Sequence, residues 1–357
     1  MDEDQSERVR QMLEKITYVE KNNSAVILRC YGSGSHLELP ERVAGLPVKE
    51  LADHCFAEEG SLRYQPFQIR TAVREYTENG ICFVPEDGNG GESAASDPAQ
   101  EYCPVKGEML EDIWLPDGLE GIGDYGFYGC DKLKKLSFPT GLMRLGGGVF
   151  VACNHVQEIR FRDPAEGQTP HCMKDVLAEL TYEVETVLEN GRGKEQLRLT
   201  FPEYYEESKE NTPARIIEII FHGTGYKYRQ CFQNRQLDFH QYDAWFPLAA
   251  AQEFFPTLIR LVTNRLSTPQ GLSEEARVRY LEWLRREYRQ VGAWILEQDR
   301  IDLLKLLGDL GYYTEEILDD FLREATEKKA AEAVSCLMDT RRRLFAPAAG
   351  KRRKYEL

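Results

Sequence analysis

Three groups of residues in this 357-residue chain have types and spacings that could carry chemistry. The first is GIGDYG, Gly121 to Gly126, which matches the G-x-G-x-x-G spacing of a dinucleotide-binding turn. That spacing works only where it closes a strand, opens a helix and has an acidic residue about 20 positions on. The second group lies in FPEYYEE and HGTGYKYRQC, which supply Tyr204, Glu206 and Glu207, then His222, Tyr226 and Arg229. A carboxylate beside a histidine and an arginine can move protons or form half of a metal site. Gly223 and Gly225 would allow a sharp turn or a close backbone approach there. The third group is the Cys–His neighbours His54-Cys55, Cys153-Asn154-His155 and His171-Cys172, whose spacing matches no zinc site. No H-E-x-x-H, C-x-x-C, G-x-S-x-G or P-loop accompanies these residues.

The elements that must position these residues decide between the readings. Leu115–Phe138 and the stretch after it share one offset of 23 residues at Pro116/Pro139, Leu119/Leu142, Ile122/Leu145, Gly123/Gly146, Phe127/Phe150, Cys130/Cys153, Leu133/Val156, Leu136/Ile159 and Phe138/Phe161. GIGDYG therefore lies inside a repeat. The next copy reads RLGGGV and keeps only the counterpart of Gly123, and no helix of sufficient length follows before Lys135. The expectation is that NAD, NADP and FAD do not bind. An earlier unit, LELPERVAGLPVKELADHCF, carries five extra residues between its Pro40 and Phe56.

Each unit holds a short strand: Leu37-Glu38-Leu39, Ile113-Trp114-Leu115, Leu136-Ser137-Phe138 and Ile159-Arg160-Phe161. With a side-chain period of two, the outer members point into a shared core and the middle ones away from it. This displays Glu38, Trp114, Ser137 and Arg160 as a candidate binding face. Tryptophan and arginine are the residue types that dominate interface energies. Phe127 and Phe150 should be buried and stacked in adjacent turns, because no single unit could bury its own apolar side. Cys130 and Cys153 read as small buried hydrophobes, with a disulfide between them as the rival reading. ITYVEKNNSAVILRC reads as a capping hairpin with Asn22-Asn23 in its turn.

Apolar-x-apolar-Pro, an Ile/Leu-Gly pair, Phe-x-x-Cys and Leu/Val-x-x-apolar together resemble the BspA-type leucine-rich repeat, over roughly residues 25–62 and 110–162. The resemblance implies a short solenoid with one strand per turn and no catalytic residues, and the extended surface of a solenoid suits a protein partner. FPEYYEESKENTPAR and HGTGYKYRQCF are reminiscent of a bacterial subgroup of such chains, with no activity attached.

Beyond the repeats the pattern changes twice. Thr181–Glu189, Glu195–Pro202 and Ala214–His222 are strand-like, and Asn190-Gly191 signals a hairpin. In this β-rich middle segment the simpler reading is adopted: the tyrosines pack a boundary and Arg229 pairs with Glu206 or Glu207. The rival is an enzyme whose site includes Tyr204, Glu206, Glu207, His222, Tyr226 and Arg229. After Asp243, expected to cap a first helix, the spacing is helical nearly to the end. Pro256 should kink or divide that helix, Ser273 and Thr314 precede further ones, and Val278, Leu281, Leu284, Tyr288, Val291 and Ile295 keep one apolar face. Trp283, Trp294 and Phe321 read as core. By analogy the helices resemble those of ankyrin or tetratricopeptide arrays.

Composition limits the setting. The chain is 42% hydrophobic with a net charge of −15, which disfavours binding to nucleic acid or anionic lipid. Nine scattered cysteines do not form a disulfide framework. The acidic start MDEDQSERVRQ lacks the apolar run of a signal peptide, and no stretch approaches the ~18 apolar residues of a membrane span. A cytoplasmic setting is expected. Seven of the 14 residues from Arg341 to Lys354 are basic, the first of them continuing the last helix.

The expected fold class is α+β. Residues 1–172 form the repeat domain with an exposed insertion at 63–106, residues 173–242 the β-rich middle, 243–345 the helical domain and 346–357 a basic tail. The expected function is non-enzymatic protein binding or scaffolding, with no cofactor and no metal.

Overall fold

The structure, a computed structural model, describes residues 13–58, 68–77, 80–86, 103–162, 168–211 and 216–345. Residues 63–67, 78–79 and 87–102 of the expected insertion fall outside the described residues, and so does the basic tail at 346–357. The fold is α+β, a β-solenoid followed by helices.

The chain enters through an antiparallel hairpin, Leu13–Lys21 against Ser24–Gly32. Asn22 and Asn23 take φ of 51° and 59°, the left-handed pair that matches the natural twist of a hairpin. This cap lies in a sheet whose order runs Arg144–Leu145, Gly121–Ile122, Leu46–Leu51, Ser24–Gly32, Leu13–Lys21, Arg70–Thr77, Gly80–Pro85. The last two strands belong to the expected 63–106 insertion and lie largely at the surface. They pair along the hairpin's open edge and bury Ala72 and Phe83, because that edge otherwise leaves a row of unpaired backbone groups.

A second sheet runs His36–Glu38, Asp112–Trp114, Lys135–Pro139, Glu158–Arg162, Val184–Glu189, Glu195–Phe201. All but its last pair are parallel, and Leu37, Ile113, Leu136 and Ile159 stand in one register row. The outer members of each triplet are buried, as their period demands: Leu37 and Leu39, Ile113 and Leu115, Leu136 and Phe138, Ile159 and Phe161. Phe127 is fully buried and stacked between Phe56 and Phe150, with ring centroids 5.1 and 5.7 Å away. Cys130 and Cys153 are buried free thiols, and Cys153 Sγ donates to the Phe127 carbonyl at 3.0 Å.

Successive turns also share backbone bonds, with Gly123 N donating to Leu51 O and Gly146 N to Ile122 O. A Cβ on Gly123 would strike Asp53, and one on Gly146 would strike Asp124 and the Gly123 backbone. Close approach between coils is therefore what the repeated glycine serves. GIGDYG accordingly forms a two-residue strand and a coil turn, with no helix behind it.

The middle segment continues the solenoid sheet instead of forming a separate β unit. Val184–Glu189 adds in parallel to Glu158–Arg162 and then turns back through Asn190 into Glu195–Phe201. Asn190 Oδ1 accepts from the backbone N–H groups of Arg192 and Lys194, which fixes that turn. Tyr205–Asn211, not expected as a strand, pairs with Ile216–His222 in a separate two-stranded ribbon.

Asp243 is not the helix cap. Asp238 caps Phe239–Ala244 by accepting from Gln241 N, while Asp243 is buried within that helix. The neighbouring Tyr242 explains why this helix stays with the sheet: it is fully buried and donates to Thr200 O at 2.5 Å. Compact units accordingly divide at Glu253/Phe254 and not at 242/243.

The second unit holds helices Phe255–Ser267, Glu274–Arg286, Tyr288–Glu297, Ile301–Asp309, Glu315–Glu327 and Ala331–Phe345. Pro256 lies in the first turn of its helix, where its missing N–H costs nothing. Ser273 and Thr314 cap theirs through Ala276 N and Ile317 N. The helix expected to run on from Ser273 breaks at Glu287, and Val278 is exposed. Trp283 and Phe321 are buried, while Trp294 and Tyr288 are half-buried. Among the described residues no helix is long and apolar enough to cross a membrane.

Candidate binding face

The outward side of the parallel sheet carries the middle residue of each triplet, and the register places them side by side. Glu38 pairs with Trp114, Trp114 with Ser137, Ser137 with Arg160 and Arg160 with Val187. Glu38 is exposed, and the Trp114 indole retains 41% of its surface. Ser137 requires a correction, since it is buried and not displayed. Arg162 lies over it, donating to Ser137 Oγ at 2.7 Å and Ser137 O at 3.1 Å. The same guanidinium stacks on Trp114 with its Cζ 4.3 Å from the ring centroid, and it pairs with Asp117 at 2.8 Å. A tryptophan face capped by a fixed guanidinium is rigid before any partner arrives.

Arg160 is half-buried in a charge network. Its Nε meets Glu158 Oε1 at 2.7 Å and its Nη1 meets Glu189. Arg198, on the last strand, reaches Glu158 at 3.0 Å, Glu185 at 2.7 Å and Glu195 at 2.8 Å. Burial pushes the Glu158 carboxyl up, but Arg160 and Arg198 together outweigh it and hold that carboxyl below its ordinary range. Arg198 is likewise desolvated, yet the carboxylates around it raise its pKa. Sequence reading missed Arg162, Glu158, Glu189 and Arg198. The signal for two of them was present in EIRFR, where Glu158, Arg160 and Arg162 alternate onto one face.

The alternative cluster does not converge. Glu207 and His222 face each other across the ribbon at 2.9 Å, and that bond with Lys209 nearby lowers the Glu207 pKa. Glu206 is paired with Phe221 on the opposite ribbon face. Arg229 pairs with neither glutamate, which corrects the expected ion pair. It is buried and donates to five carbonyls: Leu177 at 3.2 Å, Leu180 at 2.8 Å, Pro202 at 2.5 Å, Gly225 at 3.1 Å and Tyr182 at 2.7 Å. Leu177 and Leu180 lie at the carboxyl end of helix His171–Ala178, whose partial negative charge suits a guanidinium. Burial lowers the Arg229 pKa to about 10, so the group stays charged at neutral pH. Tyr204 and Tyr226 are half-buried and pack on each other at 5.8 Å. Among the described residues no group of three or more His, Cys, Asp or Glu is arranged to hold a metal ion.

Stacked coils, a parallel sheet with one strand per coil and a phenylalanine ladder define a β-solenoid, and its exposed side is a sheet surface. Residues 101–175 match the family model of the BspA type leucine rich repeat region, which spans six copies. That match covers the second and third units recognised by their 23-residue offset. No curated protein and no solved structure gives a significant match to the chain.

Proposed function

We propose that this chain is a non-enzymatic protein-binding scaffold of a bacterial cytoplasm, with the outward sheet face from Glu38 through Trp114 to Arg160 as its recognition surface. The observation that carries the reading is Trp114, an exposed indole held under the Arg162 guanidinium on a parallel sheet. Leucine-rich repeats generally serve protein recognition, and the matched region contributes three of the strands that build this face. Ser137 acts as a support for Arg162 and not as a contact residue. The enzyme alternative is not favoured, because Glu206 and Arg229 lie away from the Glu207–His222 pair and Arg229 is engaged by backbone carbonyls. Nine unpaired cysteines suit a reducing compartment. The solenoid with its β-rich continuation and the helical repeat-like domain would then be separate functional parts, the helices offering a second surface.

The test is a partner captured by crosslinking from native lysate, identified, and titrated against wild type and Trp114→Ala. Binding should weaken by about 2 kcal/mol or more, while the stability of the variant changes by less than about 1 kcal/mol. A captured partner that binds the Trp114→Ala variant as tightly as wild type would remove this face from the recognition surface.

A further inference from the structure

The ribbon formed by Tyr205–Asn211 and Ile216–His222 pairs with no other strand among the described residues. Two-stranded ribbons are marginal in water unless something covers them. This one leaves Ile217 65%, Ile219 55% and Phe221 37% exposed. The three alternate along one strand and so share one face. At the ribbon's base Phe221 stacks on Tyr226 with centroids 3.7 Å apart, and neighbouring Arg229 is locked by its five carbonyls. The apolar stripe is therefore held rigidly at its root.

The two edges of the ribbon differ in charge. The Tyr205–Asn211 edge carries Glu206, Glu207, Lys209 and Glu210, the kind of charged edge that repels strand addition. If it paired with its own copy about Ser208, Glu206 would oppose Glu210. The Ile216–His222 edge carries a single carboxylate, Glu218, among Ile216, Ile217, Ile219, Ile220 and Phe221. That edge offers little to a basic partner, but it complements itself. Antiparallel pairing about Ile219 sets Ile219 against Ile219, Ile217 against Phe221 and Glu218 against Ile220, so no like charges meet. We propose that the Ile216–His222 edge joins the same edge of a second copy of this chain. The product is a four-stranded sheet with a continuous apolar stripe along its two central strands, flanked on that face by Glu206, Ser208 and Glu210 of the outermost strands. Apolar residues opposed across paired strands are the stabilising unit of such a sheet. This contact is independent of the solenoid face.

Sedimentation of the full chain over a dilution series tests it. The wild type should sediment as a dimer that dissociates on dilution, and Ile219→Lys and Ile219→Glu should each be monomeric with unchanged circular dichroism. Because position 219 faces itself across the axis, an equimolar mixture of the Lys and Glu variants should restore the dimer mass. Their re-association also shows that both variants are folded. Glu207→Lys, on the other edge, should leave the dimer intact. A wild type that is monomeric at every concentration overturns the proposal, as does a dimer that survives Ile219→Lys. Failure of the mixed variants to re-associate overturns the register about Ile219.

Discussion

Replacing Arg229 by methionine keeps much of the buried aliphatic stem and removes the guanidinium. The carbonyls of Leu180, Tyr182 and Pro202 lie outside the helices and strands, and Arg229 is the donor that satisfies them. A buried acceptor left without a partner costs about 1–3 kcal/mol, so three of them amount to roughly 3–9 kcal/mol. Against this, a guanidinium buried without a carboxylate is itself destabilising by several kcal/mol, and Tyr182 is exposed enough for water to reach its carbonyl. The expected net loss is about 3–4 kcal/mol. Arg229→Lys should lose roughly half as much, since an ammonium has three donors on one atom and cannot span five carbonyls contributed by three stretches of chain. With two compact units in the chain, a single unfolding midpoint is an unsafe readout. Hydrogen exchange of the Val184–Phe201 amides reports the unit that carries the change. If Arg229→Met lowers their protection by less than about 1 kcal/mol, the guanidinium is not the tie between helix His171–Ala178 and the sheet.

Other substitutions probe the solenoid itself. Phe127→Ala, which empties the centre of the Phe56–Phe127–Phe150 stack, should cost about 3–5 kcal/mol by denaturant titration. Gly123→Ala should destabilise markedly because its methyl would strike Asp53, whereas Gly147→Ala, with open space around the added atom, should be nearly neutral in a melting comparison. The depressed pKa of Glu158 sets a pH dependence: its contribution is complete above the ordinary value of 4.5 and is lost as pH falls through the lower folded value. Glu158→Gln should therefore lower stability near neutrality and flatten the acid limb of the stability profile, and an acid limb identical to wild type would refute the network.

The sequence by itself determined the solenoid. An offset of 23 residues, a period of two within each triplet and a glycine at each coil contact are local patterns, and the coils repeat the same contacts one after another. Phe127 against Phe150 was legible for that reason, as were the Asn22-Asn23 turn and the Ser273 and Thr314 caps, each a short-range device. What the coils carry on their outer side was only partly legible. Period two places Arg160 on that side, but it does not say that Arg162 folds back over Ser137 and onto Trp114, because that depends on a long side chain crossing between strands. The middle segment was least legible. Tyr205–Asn211 is too charged to read as a strand and owes its conformation to pairing with Ile216–His222. Arg229 looked like a partner for Glu206 or Glu207, yet tertiary packing placed it among carbonyls from two distant segments, Leu177–Tyr182 and Pro202, beside that of Gly225 on its own helix. Sequence spacing specifies which residues share a face, whereas the partner of a buried charge depends on which chain ends and turns converge around it, and only the folded chain decides that.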